Sequence, residues 1–335
     1  MKRVFRTVCL IAMVALVAVS CKKKEEESAK FTMNFGETSG FQAGPSFDGS
    51  KAYFDPTDGY KFKWNAGDQV VIYNLASDYT QSNSEIFTAA TDGARVVFEG
   101  SPIGSRKDIG YFVFYNADKA HRDLKELNTE TFEVGRTQTY DPTCYADPHA
   151  LVAACTTEES ADGHASAFTV NHIFGYLNVA VGATVEGVQV DSIVVNDAMW
   201  NLTGELDLKL PEVDAQKFTR LMNMLENNNE QYATELADYL KDLGYFAHGT
   251  QSKSIKLDCG GQPLTKGAYQ YFFISLRPGA LYKGFTVDVY YSNNPAGNHK
   301  TFTIPAGTQW LIKPGFFTNF YVTTAGKWWN GAWVD

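Results

Sequence analysis

Gly204-Glu205-Leu206-Asp207-Leu208-Lys209-Leu210 alternates strictly, with leucine at every second position and a charged residue between each pair. Successive side chains of an extended chain point to opposite faces, so this period of two predicts a strand with one face on a core and one in water. Phe285, Val287, Val289 and Tyr291 repeat the pattern against Thr286 and Asp288. Three further β-branched and aromatic runs, Asp68–Tyr73, Ile109–Tyr115 and Phe174–Val181, are each bounded by Gly, Asn or Asp turn residues. Many short strands at this spacing predict packed antiparallel sheets, an all-β fold, rather than a parallel α/β layer.

Composition points the same way. The 335 residues include 18 Tyr and 23 Phe, types that favour strands. An apolar share of 44% argues against disorder, and the length suits two domains, each able to bury its own core. Acids outnumber bases 38 to 29, for a formal charge of −9. Phosphate binding needs the opposite surplus, so nucleic acid is not an expected partner.

One region breaks the strand pattern. Phe218, Leu221, Met222 and Leu225 fall at helical spacing, and a second stripe of Tyr232, Leu236, Tyr239, Leu240 and Leu243 follows Asn227-Asn228-Asn229. With Asp214 placed to cap the start and Gly244 to stop the end, a helical hairpin is predicted over about 214–243. Phe168–Val181 reads as a closing hairpin, and Val188–Val195 opens a new strand series. The division expected is therefore 31–185 and 186–335, the helical insertion lying in the second part.

The first residues carry the most specific signal. Met1–Arg6 is basic, Val8–Val19 is apolar and short, and Ala18-Val19-Ser20 precedes Cys21. This is the build of an export signal over 1–20. The Cys at the cut resembles a bacterial lipobox, which implies lipidation of Cys21 and anchoring by acyl chains. Loss of Lys2, Arg3 and Arg6 with the signal leaves a charge of −12. Residues 21–30 then read as a charged tether, Lys22-Lys23-Lys24-Glu25-Glu26-Glu27. That run resembles the surface-export tag of Bacteroidales-type lipoproteins, which implies the outer face of the outer membrane.

Cys144, Cys155 and Cys259 remain once Cys9 is removed and Cys21 lipidated, and none forms a C-x-x-C pair. Either Cys144 and Cys155 pair in an oxidising compartment, or all three are buried thiols. No zinc or other metal site is expected, and no cofactor. There is no G-x-S-x-G, H-E-x-x-H, Walker loop or G-x-G-x-x-G, and the six histidines are scattered. His172 is read as a satisfied structural histidine rather than a base. Asp55-Pro56-Thr57-Asp58-Gly59 is read as a β-turn rather than a calcium-loop fragment. No enzyme activity is predicted.

Phe62-Lys63-Trp64-Asn65-Ala66-Gly67-Asp68-Gln69-Val70-Val71-Ile72-Tyr73 resembles the W-x-x-G-D block of the fimbrillin-like lipoproteins of type V pili. Other stretches resemble that family in its order: Ile86–Gly100, Tyr111–Tyr115, Arg136-Thr137-Gln138-Thr139-Tyr140, Phe168–Val179, Tyr271–Ile274, Gly284–Val287 and Lys313-Pro314-Gly315. The likeness spans most of 31–322, mainly in apolar and turn positions. It implies two transthyretin-like Greek-key β-sandwiches in a structural or accessory pilus subunit with a role in adhesion. In such subunits a protease removes the first strand, and the opened groove accepts a strand from a neighbouring subunit. The implied partners are other pilus subunits, the outer membrane through the lipid, and a host or bacterial surface protein or glycan.

One departure bears on that mechanism. No arginine occurs between Arg6 and Arg95, so Lys30 and Lys51 are the candidate processing sites. An uncut chain would keep its lipid and its own strand, as an anchor or terminating accessory does. The tail, Lys327-Trp328-Trp329-Asn330-Gly331-Ala332-Trp333-Val334-Asp335, offers Trp328, Trp329 and Trp333 as donor-strand or partner contacts, as a platform for sugar rings, or as ordinary packing. The alternative function is an outer-membrane glycan-binding lipoprotein accessory to a nutrient importer; a row of coplanar aromatics on one concave face would favour it.

Overall fold

A computed structural model describes residues 29–35, 53–55, 61–75, 81–100, 110–115, 129–151, 153–158, 167–209, 220–221, 224, 231–245, 248–279, 281–307 and 310–330. The chain lays down β1 (Ala29–Phe35), β2 (Tyr53–Asp55), β3 (Lys61–Lys63), β4 (Gln69–Leu75), β5 (Gln81–Ala89) and β6 (Arg95–Gly100). There follow β7 (Gly110–Tyr115), β8 (Thr129–Val134), β9 (Thr137–Thr139), β10 (Ala153–Glu158) and β11 (Ala167–His172). Next come β12 (Gly175–Gly182), β13 (Gln189–Asp197), β14 (Thr203–Lys209), helix α1 (Gln231–Asp242), β15 (His248–Ser252) and β16 (Ser254–Pro263). The chain ends with β17 (Tyr269–Leu276), β18 (Phe285–Ser292), β19 (His299–Ile304), β20 (Phe317–Thr323) and β21 (Trp328–Asn330). The all-β reading holds.

Seven of the first eleven strands join in the order β1-β11-β10-β7-β4-β5-β6 and close into a barrel. Closure removes free edges from that sheet. Val70, Val71, Ile72 and Tyr73 of β4 are all fully buried, so both faces of this strand are covered and its sequence is a continuous apolar run. The W-x-x-G-D block leads into β4. Trp64 is fully buried with its ring set edge-on against Phe98 at 4.8 Å and Tyr115 at 5.1 Å. Gly67 supplies a φ of +92°, and the Asp68 carboxylate accepts the Asn65 N–H at 2.8 Å. The motif is thus a tight turn beside a tryptophan set in the core.

The later strands form two sheets, β17-β12-β20-β21 and β19-β18-β13-β16-β9. They face each other across a core in which Phe320 meets Phe285 and Phe302, each at 6.1 Å. Phe285, Val287, Val289 and Tyr291 of β18 are buried as their alternation predicts. The alternating stretch forms β14 as far as Lys209, the centre of a smaller sheet, β15-β14-β8, with Leu206 buried. Helix α1 buries Leu236 and Leu240. The turn after it needs Gly244, which has a φ of +90° and where a Cβ would overlap the Asp207 carbonyl oxygen. Of the first predicted helical stripe, Leu221 is helical and buried, with Arg220 and Met224 beside it also helical, and Phe218, Met222 and Leu225 lie outside the described residues.

The expected hairpin over Phe168–Val181 does not form. β11 belongs to the barrel and β12 to the sandwich, where it lies antiparallel to β17 and parallel to β20. β12 is buried along its whole length. An apolar run reports burial without naming the neighbour, which is why its partners were not legible. β8 and β9 also leave the barrel, to pair with β14 and β16. One hydrophobic cluster runs through barrel and sandwich alike.

Candidate strand-exchange site

β1 closes the barrel. It runs antiparallel to β6, with Phe31 opposite Phe98 and Met33 opposite Val96, and parallel to β11, with Phe35 opposite Val170. Phe98, Val96 and Val170 are all buried. Phe31, Met33 and Phe35 alternate with Thr32 and Asn34 in the sequence, the period-two signal that would have located this strand. Withdrawal of β1 would leave two facing strand edges, β6 and β11, over an apolar floor.

The sequence-selected lysines fall on opposite sides of that strand. Lys30 is its second residue, paired with Glu99 of β6. A cut after Lys30 leaves Phe31–Phe35 in the sheet. Lys51 lies outside the described residues, two positions ahead of β2. A cut there detaches all of β1 from the rest of the barrel. Cys21 and Trp333 also lie outside the described residues, as does the turn proposed for residues 56–59.

The chain crosses from barrel to sandwich at Ile173–Phe174. His172 is buried beside Phe62, ring to ring at 4.7 Å, and shares a 2.7 Å hydrogen bond with the Tyr176 hydroxyl of β12. Burial lowers the His172 pKa to about 3, so the ring is neutral at physiological pH. Burial likewise raises the Tyr176 hydroxyl. Tyr245, just after α1, donates its hydroxyl to the Ile173 carbonyl at 3.0 Å. His172 is a structural residue of this junction.

Within the sandwich, β21 pairs antiparallel with β20 as an edge strand. Neighbouring residues of a strand face opposite ways, and the two tryptophans divide accordingly. Trp328, 37% exposed, packs against Phe320 at 5.6 Å and Trp310 at 6.3 Å on the core side. Trp329 stacks on Tyr321 at 5.9 Å on the outer face, with Tyr269 perpendicular to both. The three outer rings make a packed corner rather than a coplanar row. Cys259 is a free thiol and Cys144 is also buried; desolvation pushes the Cys259 thiol up and leaves it protonated. Cys155 lies in β10, its side chain outside the described residues.

No family model and no curated protein matches the chain. Among solved structures, a "putative cell adhesion protein" from Bacteroides ovatus superposes with a TM-score of 0.51 over 92% of this chain and 97% of its own, at 12% identity. The two share a fold. A counterpart from Bacteroides fragilis gives 0.44 at 11% identity, covering 92% and 99% of the two chains. A fimbrial assembly protein from Parabacteroides distasonis gives 0.38 at 10%, covering 88% and 90%. The Bacteroides ovatus likeness extends over nearly the full length of both chains, so barrel and sandwich both belong to the shared fold. It agrees with the fimbrillin-like resemblance read from the sequence.

Proposed function

We propose that this chain is a pilus or adhesion protein of the cell surface, a structural or accessory subunit that joins its neighbours by strand exchange at the β1 slot. The lipid on Cys21 holds it to the outer membrane, and its role is mechanical and adhesive rather than catalytic. The observation that carries this reading is the position of β1, inserted between β6 and β11 and separable by one cut before β2. Main-chain hydrogen bonds from an incoming strand would replace those of β1, and alternate apolar side chains would cover the floor marked by Phe98, Val96 and Val170. Head-to-tail contacts of this kind do not close on themselves and so build filaments. A chain left uncut keeps both lipid and strand and would end or anchor such a filament.

The test is intact mass and N-terminal sequence of the protein recovered from cell surfaces, read with SDS-resistant ladder formation. A start at Ala52 together with ladders supports a shaft subunit, and Lys51→Gln should then abolish both. A lipidated Cys21 on a protein that never forms ladders, alone or with other subunits, would reject strand exchange.

A further inference from the structure

A two-sheet sandwich has lateral edges, and an uncovered edge accepts strands indiscriminately. β17 is such an edge, joined to β12 on one side only within its sheet. Its other side is covered by something that is not a strand of that sheet. The Gln138 side chain donates through Nε2 to the Ser275 carbonyl at 2.9 Å, while its Oε1 accepts the Ser275 N–H at 3.1 Å. One side-chain amide thereby engages both main-chain groups that a neighbouring strand would engage. Two residues along, the Phe273 N–H donates to the Tyr145 carbonyl at 2.8 Å, and Ala146 forms a parallel bridge with Phe273.

The segment is built to stay there. Asp141 accepts the Thr143 N–H at 2.7 Å, and Asp147 accepts those of Thr139 at 2.9 Å and His149 at 2.8 Å. Tyr145 adopts a φ of +60°, uncommon for an aromatic residue, and its ring packs on Phe273 at 6.3 Å. The backbone of β9 meanwhile pairs with β16 of the opposite sheet. Gln138 is 3% exposed, a site where an apolar residue of the same size would pack as well. Its amide is explained by the two groups of Ser275 that it satisfies.

We infer that residues 138–146 are an intramolecular decoy strand, which occupies the β17 edge and denies it to a strand from a second copy of this chain. Resting on the strand-exchange reading, this confines association to the β1 slot. Gln138 is the residue that sets the specificity.

The experiment uses the full, uncut chain, so it does not depend on processing or on the slot. Gln138→Met keeps volume and removes both hydrogen bonds. Light scattering over a concentration series should show the variant associating where the parent stays monomeric. In dilute solution the Ser275 amide should exchange about tenfold faster than in the parent, and association should protect it again. A monomeric variant with a fast Ser275 amide would overturn the inference, as would association that protects another edge. Should the variant fail to fold, the parent decides: its Ser275 amide must exchange as slowly as that of Ile274, and rapid exchange would mean that no decoy covers the edge.

Discussion

β1 and β12 occupy the same kind of slot in the two halves of the molecule. Each lies between an antiparallel neighbour, β6 or β17, and a parallel one, β11 or β20. The difference lies in how each is tied down. β12 follows β11 after two residues, runs on into β13, and is buried from Gly175 to Gly182. β1 is joined to the barrel's later strands only through the segment before β2. One cut detaches β1, whereas freeing β12 would need two cuts in the interior of the molecule. The same architecture thus ties one strand into the chain at both ends and joins the other to its sheet through a single connection, which is what the strand-exchange proposal requires.

The largest effects should come from attacking the permanent slot. Val179 is fully buried at the centre of β12, so Val179→Asp leaves a carboxylate with no water and should cost about 4–5 kcal/mol or more, measured by urea unfolding. A chain beginning at Ala52 should instead stay folded in the sandwich. Hydrogen exchange should show β12, β17 and β20 protected and β6 and β11 open; loss of protection in both halves would end the comparison. Gly175→Ala comes next. A Cβ there would overlap the Lys313 carbonyl oxygen and lie 2.7 Å from the Ile312 side chain, so a loss of about 3 kcal/mol is expected in the same assay.

How much of this was legible in the sequence follows from what patterns encode. Period-two alternation placed β14 and β18 correctly: β18 buries every second residue, and β14 buries Leu206 between the partly exposed Glu205 and Asp207. Helical spacing placed α1 within its predicted hairpin. The alternation of Phe31, Met33 and Phe35 was legible too, but its closing role depends on β6 and β11, which are 60 and more residues away in the chain. Gln138 was visible only as part of a family-like segment, since its meaning lies in Ser275, 137 residues on. Burial is written locally; pairing is not.

A smaller effect probes the junction between the slots. His172 has a pKa of about 3 when folded against a reference of 6.5, with burial as the cause and Tyr176 and Phe62 as its neighbours. Below pH 6.5 the unfolded chain binds a proton that the folded chain refuses. The His172 contribution to stability therefore falls as pH drops from 6.5 towards 3, by about 1.4 kcal/mol per unit and about 2 kcal/mol at pH 5. His172→Gln, neutral at every pH, should remove that slope between pH 6.5 and 3 and leave the pH dependence above pH 7 unchanged.

The smallest expected effect separates packing from contact between subunits as the role of β21, which flanks β20 as β10 flanks β11. Trp329 touches Tyr321 and Tyr269 on the outer face and takes no part in the core that holds β12. Trp329→Ala should cost about 1 kcal/mol, the worth of a half-exposed aromatic pair, and leave the protection of β12 unchanged. Trp328→Ala should cost more, because Trp328 lies on Phe320 and Trp310. If both tryptophans serve only packing, ladder formation in either variant should track this order of stability. Ladders lost in Trp329→Ala at nearly native stability would instead mean that its ring is used between subunits, and that the outer face of β21 belongs to the assembly rather than to the fold.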